Sequence, residues 1–143
     1  MENMDSAGNV RAGNILIVVD DGSGALAEPL LSSLSSAVGA VRPVGTTFSI
    51  QPPQIIPVQV SLSIVLPSDL SLPTTQNQLQ TAIESYINGL PIGSTLSVTR
   101  ISQLAYATES RIMNVSNVVL NGQTTDLVAP STTTFTPQNV NFT

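Results

Sequence analysis

Three short stretches hold the residues with the means to do chemistry. The first is Gly22-Ser23-Gly24-Ala25-Leu26-Ala27, between an apolar run and a helical pattern. It matches the loose dinucleotide-binding pattern of two glycines and a small residue. Such a loop would hold a pyrophosphate on backbone N–H groups at a helix N-terminus. Asp20 and Asp21 directly before it would repel that anion, and no acid lies about twenty positions on to hold a ribose. It therefore reads as a turn and a helix start, with no cofactor. The second stretch is Asp20 and Asp21 with Ser23 as possible calcium ligands. A calcium loop needs about six oxygens, more than this loop offers without a distant acid. The pair reads as solvated carboxylates beside a helix N-terminus, and no metal site is assigned. The third is Arg42 before Pro43. It is placed either to serve the last carbonyls of a preceding helix or to pair with a carboxylate across a subunit boundary. Glu84 and Glu109 have no base, nucleophile or second acid near them in sequence, so no catalytic residue is assigned.

Composition removes further chemistry. The chain has no cysteine, which excludes a disulfide framework, a thiolate zinc site and a catalytic thiol. It has no histidine, the commonest general base and metal ligand. Every basic residue is an arginine, at Arg11, Arg42, Arg100 and Arg111, so Schiff-base chemistry and a phosphate-loop lysine are absent too. Four scattered arginines in a chain of net charge −5 make no phosphate-neutralising stripe, which argues against nucleic acid and anionic membranes. Met1 to Asn14 is polar and carries Glu2, Asp5 and Arg11, unlike a signal peptide. Charged residues are 9% of the chain against a usual ~25%, so its polar surface must be Ser, Thr, Asn and Gln.

The elements must then position a surface, since no reactive centre is in view. The organising strand is Val58 to Leu66, where Val58, Val60, Leu62, Ile64 and Leu66 alternate with Gln59, Ser61 and Ser63. That two-residue period makes one face apolar and the other mostly polar. Pro57 and Pro67 bracket it. Upstream, the β-branched run Ile15 to Val19 suits a strand covered on both faces or in the middle of a sheet. A helix beginning near Ala27 or Glu28 should carry Leu30, Leu31, Leu34 and Val38, with Pro29 in its first turn and Gly39 and Arg42-Pro43 stopping it. Thr46 to Ile50 is a short strand, broken by Pro52-Pro53.

After the organising strand, Ser68 to Pro73 reads as a loop. The next helix takes Thr74 or Thr75 as its cap, with Gln78 in capping-box position. Leu79, Ile83, Tyr86, Ile87 and Leu90 form one apolar stripe along it. Thr95 to Val98 reads as a brief extended piece. Ile101, Leu104 and Ala105 suggest a short helix, and Ile112 to Leu120 a strand ending at the hairpin signal Asn121-Gly122. Phe135, Val140 and Phe142 mark either a final edge strand or a tail that orders against a partner. The order implies an α+β fold: a split β-α-β, ferredoxin-like sandwich with helices on one face of a mostly antiparallel sheet and a C-terminal hairpin extension. The expected organisation is a flexible lead-in over 1–13, one core domain over 14–122, and a Thr/Pro-rich extension over 123–143 that could add an edge strand.

Strand Ile15 to Val19 with Asp21-Gly22-Ser23-Gly24, then Arg42-Pro43-Val44-Gly45 leading into a strand, Pro52-Pro53 and Val58 to Leu66, resembles the C-terminal region of the phage baseplate J-like family. Tyr86-Ile87 to Leu90-Pro91-Ile92-Gly93, Leu104 and the strand Ile112 to Leu120 extend the similarity, which runs from Gly13 to about Phe142. The resemblance implies a non-enzymatic, structural role in the baseplate wedge of a contractile phage tail or related injection system. It implies wedge and hub proteins as partners, self-association in a symmetric assembly, and a place in a virion or tail-like particle built in the bacterial cytoplasm. Family members are usually longer, with a β-rich region before the part seen here. A low-charge, lysine-free surface fits such a role, because little side-chain entropy and charge solvation are lost when it is buried. The alternative is a stand-alone adhesion or glycan-binding module, which needs a surface cluster such as Tyr86, Tyr106 and Phe135. An enzyme would need a pocket joining Asp20 or Asp21 to Glu84 or Glu109.

Overall fold

The computed structural model describes residues 2–5, 7–22 and 26–143. The chain divides into two compact units, Met1–Gln54 and Ile55–Thr143. The division falls after Pro52-Pro53, inside the stretch expected as one domain, because the strands on either side of these prolines join different sheets.

In the first unit, β1 (Glu2–Met4), β2 (Val10–Val18) and β3 (Thr47–Gln51) form one sheet in that order. β2 is thus the middle strand, as its β-branched run implied, but it starts at Val10. β1 pairs with it antiparallel, so the lead-in contributes a strand. The turn between them is built by Asp5, whose carboxylate accepts the Ala7 and Asn9 backbone N–H groups, each at 2.9 Å. The Asn9 bond is the main reason that the Asp5 carboxyl is held below its ordinary range. β2 and β3 run parallel, from Asn14↔Thr47 to Val18↔Gln51. Parallel neighbours need a crossover, and α1 (Glu28–Val41) lies in it. Asn14 is buried and ties the three strands together. Its amide donates to the Met4 carbonyl, and its Oδ1 accepts the Thr47 hydroxyl at 2.9 Å.

α1 has Pro29 in its first turn, as expected. Gly39 does not stop it. The helix runs to Val41, and Arg42 turns extended (φ −68°, ψ 142°), the conformation that a following proline imposes. Leu31, Leu34 and Val38 are half-buried.

The second unit begins within β4 (Gln54–Val65) and continues through α2 (Leu72–Asn88), β5 (Thr95–Leu96), α3 (Val98–Thr108), β6 (Asn114–Leu120), β7 (Leu127–Val128) and β8 (Thr133–Phe142). Its main sheet has the order β6-β4-β8, and β5 pairs with β7. The organising strand is therefore central. β4 runs through Pro57, which lies before the ladder to β6 starts at Val60↔Leu120. β4–β6 and β5–β7 are antiparallel. The bonds Gln59–Gln138 and Thr143–Leu62 advance together along β4 and β8, so that pair is parallel. The class is α+β, as expected, with the strands spread over three sheets. Asn121-Gly122 makes the expected two-residue turn, both residues at positive φ, but it closes a single bridge, Leu120↔Gln123. Among the described residues, no helix is long and apolar enough to cross a membrane.

The core follows the predicted periodicities. Val58, Val60 and Leu62 are fully buried, as are Ile83 and Ile87 of α2, Leu96, Ile101 and Leu120. Each such side chain contributes about 1.5–3 kcal/mol. Tyr86 and Leu90 complete the α2 stripe from its half-buried edge. The expected cap was misplaced. α2 starts after Ser71, with Pro73 in the first turn, where a proline fits best. Thr75 lies one turn inside and is only 2% exposed, so it faces the core and does not cap.

Gly93 joins α2 to β5 at a crowded crossing. Its φ is +71°, and a Cβ there would lie 3.1 Å from Ser131 Cα. Its N–H donates to the Thr133 carbonyl at 2.9 Å. Gly93→Ala is therefore expected to cost about 2–5 kcal/mol, combining about 1–2 for the left-handed backbone and about 1–3 for overpacking. Urea denaturation measures it. A loss within about 0.5 kcal/mol, the range of ordinary surface changes, would show that the 129–133 segment moves aside freely.

Candidate functional site

The residues singled out for chemistry are mostly engaged in local structure. Asp20 Oδ1 accepts the Gly22 N–H at 2.8 Å, forming its own loop. Ser23, Gly24 and Ala25 lie outside the described residues. Among the described residues, no group of three or more Asp, Glu, His or Cys could hold a metal ion. Arg42 does not serve the last carbonyls of α1 with its side chain. Its Nη1 donates to the Thr46 carbonyl at 2.9 Å, and the guanidinium lies 6.0 Å from the Phe48 ring centre. It braces the turn in which the Thr46 N–H donates to the Pro43 carbonyl.

Glu84 accepts the Gln80 amide one helical turn away, at 2.8 Å. Glu109 accepts the Arg111 backbone N–H at 3.0 Å. Arg111 also pairs with Asp69 at 3.1 Å, both well exposed, which contributes only about 0–1 kcal/mol. The three aromatic residues do not form an exposed cluster. Tyr86 packs half-buried against the core, Phe135 is 3% exposed, and the Tyr106 hydroxyl accepts the Val115 N–H at 2.9 Å. Of the three, only Tyr106 is exposed, at 40%, so they do not make the surface cluster that the glycan-binding alternative names.

What the second unit does present is a sheet face without charge. β4, β6 and β8 contain no Asp, Glu, Lys or Arg. With the apolar side of β4 turned inward, Gln59, Ser61 and Ser63 point the other way. Polar side chains tie this face across the three strands. Gln59 donates to Gln138 at 3.2 Å, and the Ser63 and Thr143 hydroxyls lie 2.9 Å apart. Asn117 Nδ2 donates to Ser63 Oγ at 3.3 Å. Asn117 stands at a bulge: pairing moves from Ser61↔Val119 to Ser63↔Ser116, leaving one extra residue on β6. Its φ of 52° is left-handed, which asparagine tolerates better than most residues. β6 and β8 are the two edges of this sheet. Pro137 interrupts the donors of β8 and the bulge bends β6, two devices that blunt a sheet edge without charge. Val65 and Met113 lie side by side at one end, joined by the Met113 N–H to Val65 carbonyl bond at 2.8 Å, and both are exposed. This face carries amides and hydroxyls, and its strands supply no carboxylate, amine or imidazole. It can bind a surface.

Two supporting residues escaped the sequence reading. Asn121 clamps the open end of β4: its N–H donates to the Gln59 carbonyl at 2.9 Å, its Oδ1 accepts the Gln59 N–H at 2.8 Å, and its Nδ2 donates to the Pro57 carbonyl at 3.1 Å. Asp126 caps α3 by accepting the Val98 N–H at 2.8 Å. The Asn-Gly pair signalled the turn, but no local pattern signals partners 62 and 28 residues away.

No curated protein matches the sequence. A family model for the Baseplate J-like protein C-terminal domain matches residues 58–143, which run from the first buried residue of β4 to Thr143. Arg42-Pro43-Val44-Gly45 and the Asp21–Gly24 loop precede the matched region. Among solved structures, the chain is similar in fold to one in the cryo-EM structure of the anti-feeding prophage (AFP) baseplate, 6-fold symmetrised. The TM-score is 0.66 at 13% identity, over 87% of this chain and 29% of that one. This chain therefore spans less than a third of that neighbour's length. The chain belongs to the baseplate J-like protein family, whose C-terminal domain is formed by residues 58–143.

Proposed function

We propose that this chain is a structural component of a contractile-tail baseplate, in the wedge, and works by protein–protein assembly without catalysis. The observation that carries the reading is the family match over residues 58–143, which take in β6, β8, most of β4 and the helices packed on them. The geometry supports it through the uncharged face. Burying Ser, Thr, Asn and Gln costs less than burying charges, and the short side chains of Ser, Thr and Asn lose less rotamer freedom than lysines. The partners are other wedge proteins and the hub, with further copies of this chain in a symmetric particle. The particle is a virion or tail-like injection machine, assembled in the bacterial cytoplasm.

The test is peptide mass spectrometry on tail-like particles purified from the source organism. Peptides of this chain are expected in intact particles at a constant ratio to the other baseplate proteins. Intact particles without them would overturn the reading. In the same preparation, Ser61→Arg is expected to leave the domain folded and reduce its incorporation, because an arginine on the neutral face must be desolvated at the contact. Normal incorporation would move the docking surface elsewhere on the chain.

A further inference from the structure

We propose that Asn88 is a site of spontaneous deamidation in the folded protein, and that Asn121 is shielded from the same reaction. The sequence contains two Asn-Gly pairs, Asn88-Gly89 and Asn121-Gly122. In such a pair the glycine backbone nitrogen attacks the asparagine side-chain carbonyl carbon, unhindered by a Cβ. The new N–C bond closes a succinimide, the bond from that carbon to Nδ2 breaks, and ammonia leaves with the glycine proton. Water then opens the ring at either carbonyl, giving aspartate or isoaspartate. The reaction needs only water and no change of oxidation state.

The two pairs share this chemistry and differ in restraint. Both polar atoms of the Asn121 side chain are engaged, by the Gln59 N–H at 2.8 Å and the Pro57 carbonyl at 3.1 Å. Its backbone is tied to the same strand through the Gln59 carbonyl. Attack there requires the β4–β6 end of the main sheet to come apart. Asn88 is the last residue of α2 and is exposed. No described residue makes a hydrogen bond to its side chain. The nucleophile is restrained by last-turn bonds from the Gly89 N–H to the Ser85 and Tyr86 carbonyls, at 3.1 and 3.2 Å, and to the Ile87 carbonyl. Helix ends fray before sheets open. The product matters because of what flanks it. Ile87 is fully buried and Leu90 packs on the core, so the extra backbone methylene of isoaspartate sits between two anchors. The new carboxylate also lies at the negative end of the α2 dipole.

The experiment holds the folded protein in mildly alkaline buffer and follows both asparagines by tandem mass spectrometry. Asn88 is expected to convert roughly tenfold or more faster than Asn121, since local opening is far less costly than sheet opening. In urea the two rates should become comparable. Gly89→Ala should suppress conversion at Asn88 while leaving the fold intact, because its Cβ would make only ordinary contacts, 3.4 Å to Ser85 O and 3.6 Å to Tyr86 O. Equal conversion in the folded protein, no conversion at Asn88, or the same ratio in urea would each overturn the proposal. So would a Gly89→Ala variant that converts unchanged.

Discussion

Leu62→Asp is expected to leave Ile55–Thr143 unfolded, whereas Ser61→Asp, one residue away, should change stability by no more than about 1 kcal/mol. Leu62 is fully buried at the centre of the main sheet. Its replacement removes about 1.5–3 kcal/mol of apolar burial and places a carboxyl group where no polar partner waits, at a further cost of about 2–7 kcal/mol. Together these approach the roughly 5–15 kcal/mol that holds a typical domain. Ser61 is half-buried on the uncharged face, where a carboxylate can reach water. Urea denaturation followed by tyrosine fluorescence reads the difference cleanly. Both tyrosines, Tyr86 and Tyr106, belong to Ile55–Thr143, so the signal reports that unit. If the two variants are equally damaging, the sheet is covered on both sides and the open face does not exist.

Phe135→Ala should cost about 3–5 kcal/mol, the range for deleting a core aromatic ring. Phe135 is 3% exposed and belongs to the same cluster as Val58, Ile83 and Leu120. Phe142→Ala should cost less, because Phe142 is half-buried where it packs on the core. The same denaturation series orders them. A near-silent Phe135→Ala would make β8 peripheral, with the main core complete without residues beyond Asn121. The full cost would establish that the Thr-rich C-terminal stretch is structural and not an accessory tail.

The elements whose evidence is periodic were legible in the amino-acid order. The alternation from Val58 to Leu66 specified which face of β4 is buried, and the spacing of Leu79, Ile83 and Ile87 specified the inward side of α2. Both signals are repeated several times within one element, so no distant residue is needed to read them. Local turn chemistry was equally readable at Asn121-Gly122, where two residues at positive φ need just these types. The cap of α2 was misread because Thr75 has the right side chain for capping. A buried position took it instead, and only packing reveals that.

The candidate surface was half legible. Its lack of charge is a property of composition, and the polar side of β4 follows from the alternation. Its breadth was hidden, because Gln138 and Thr143 join it through a strand about 80 residues away in sequence. Phe135, Val140 and Phe142 left an edge strand and a partner-ordered tail both open, and the stretch forms β8. Its burial comes from the side chains of β4, α2 and β6 closing over it, which no local window contains. Likewise, nothing in Thr46 to Val65 says that β3 and β4 enter different sheets. Sequence alone thus determined which reactive residue types this chain lacks, the faces of its periodic elements and the family it resembles, since these depend on residue type and near spacing. Tertiary structure alone decided which strands pair, how the chain divides, and which polar groups meet on the neutral face, since each depends on closing long loops between residues that carry no mark of their partners.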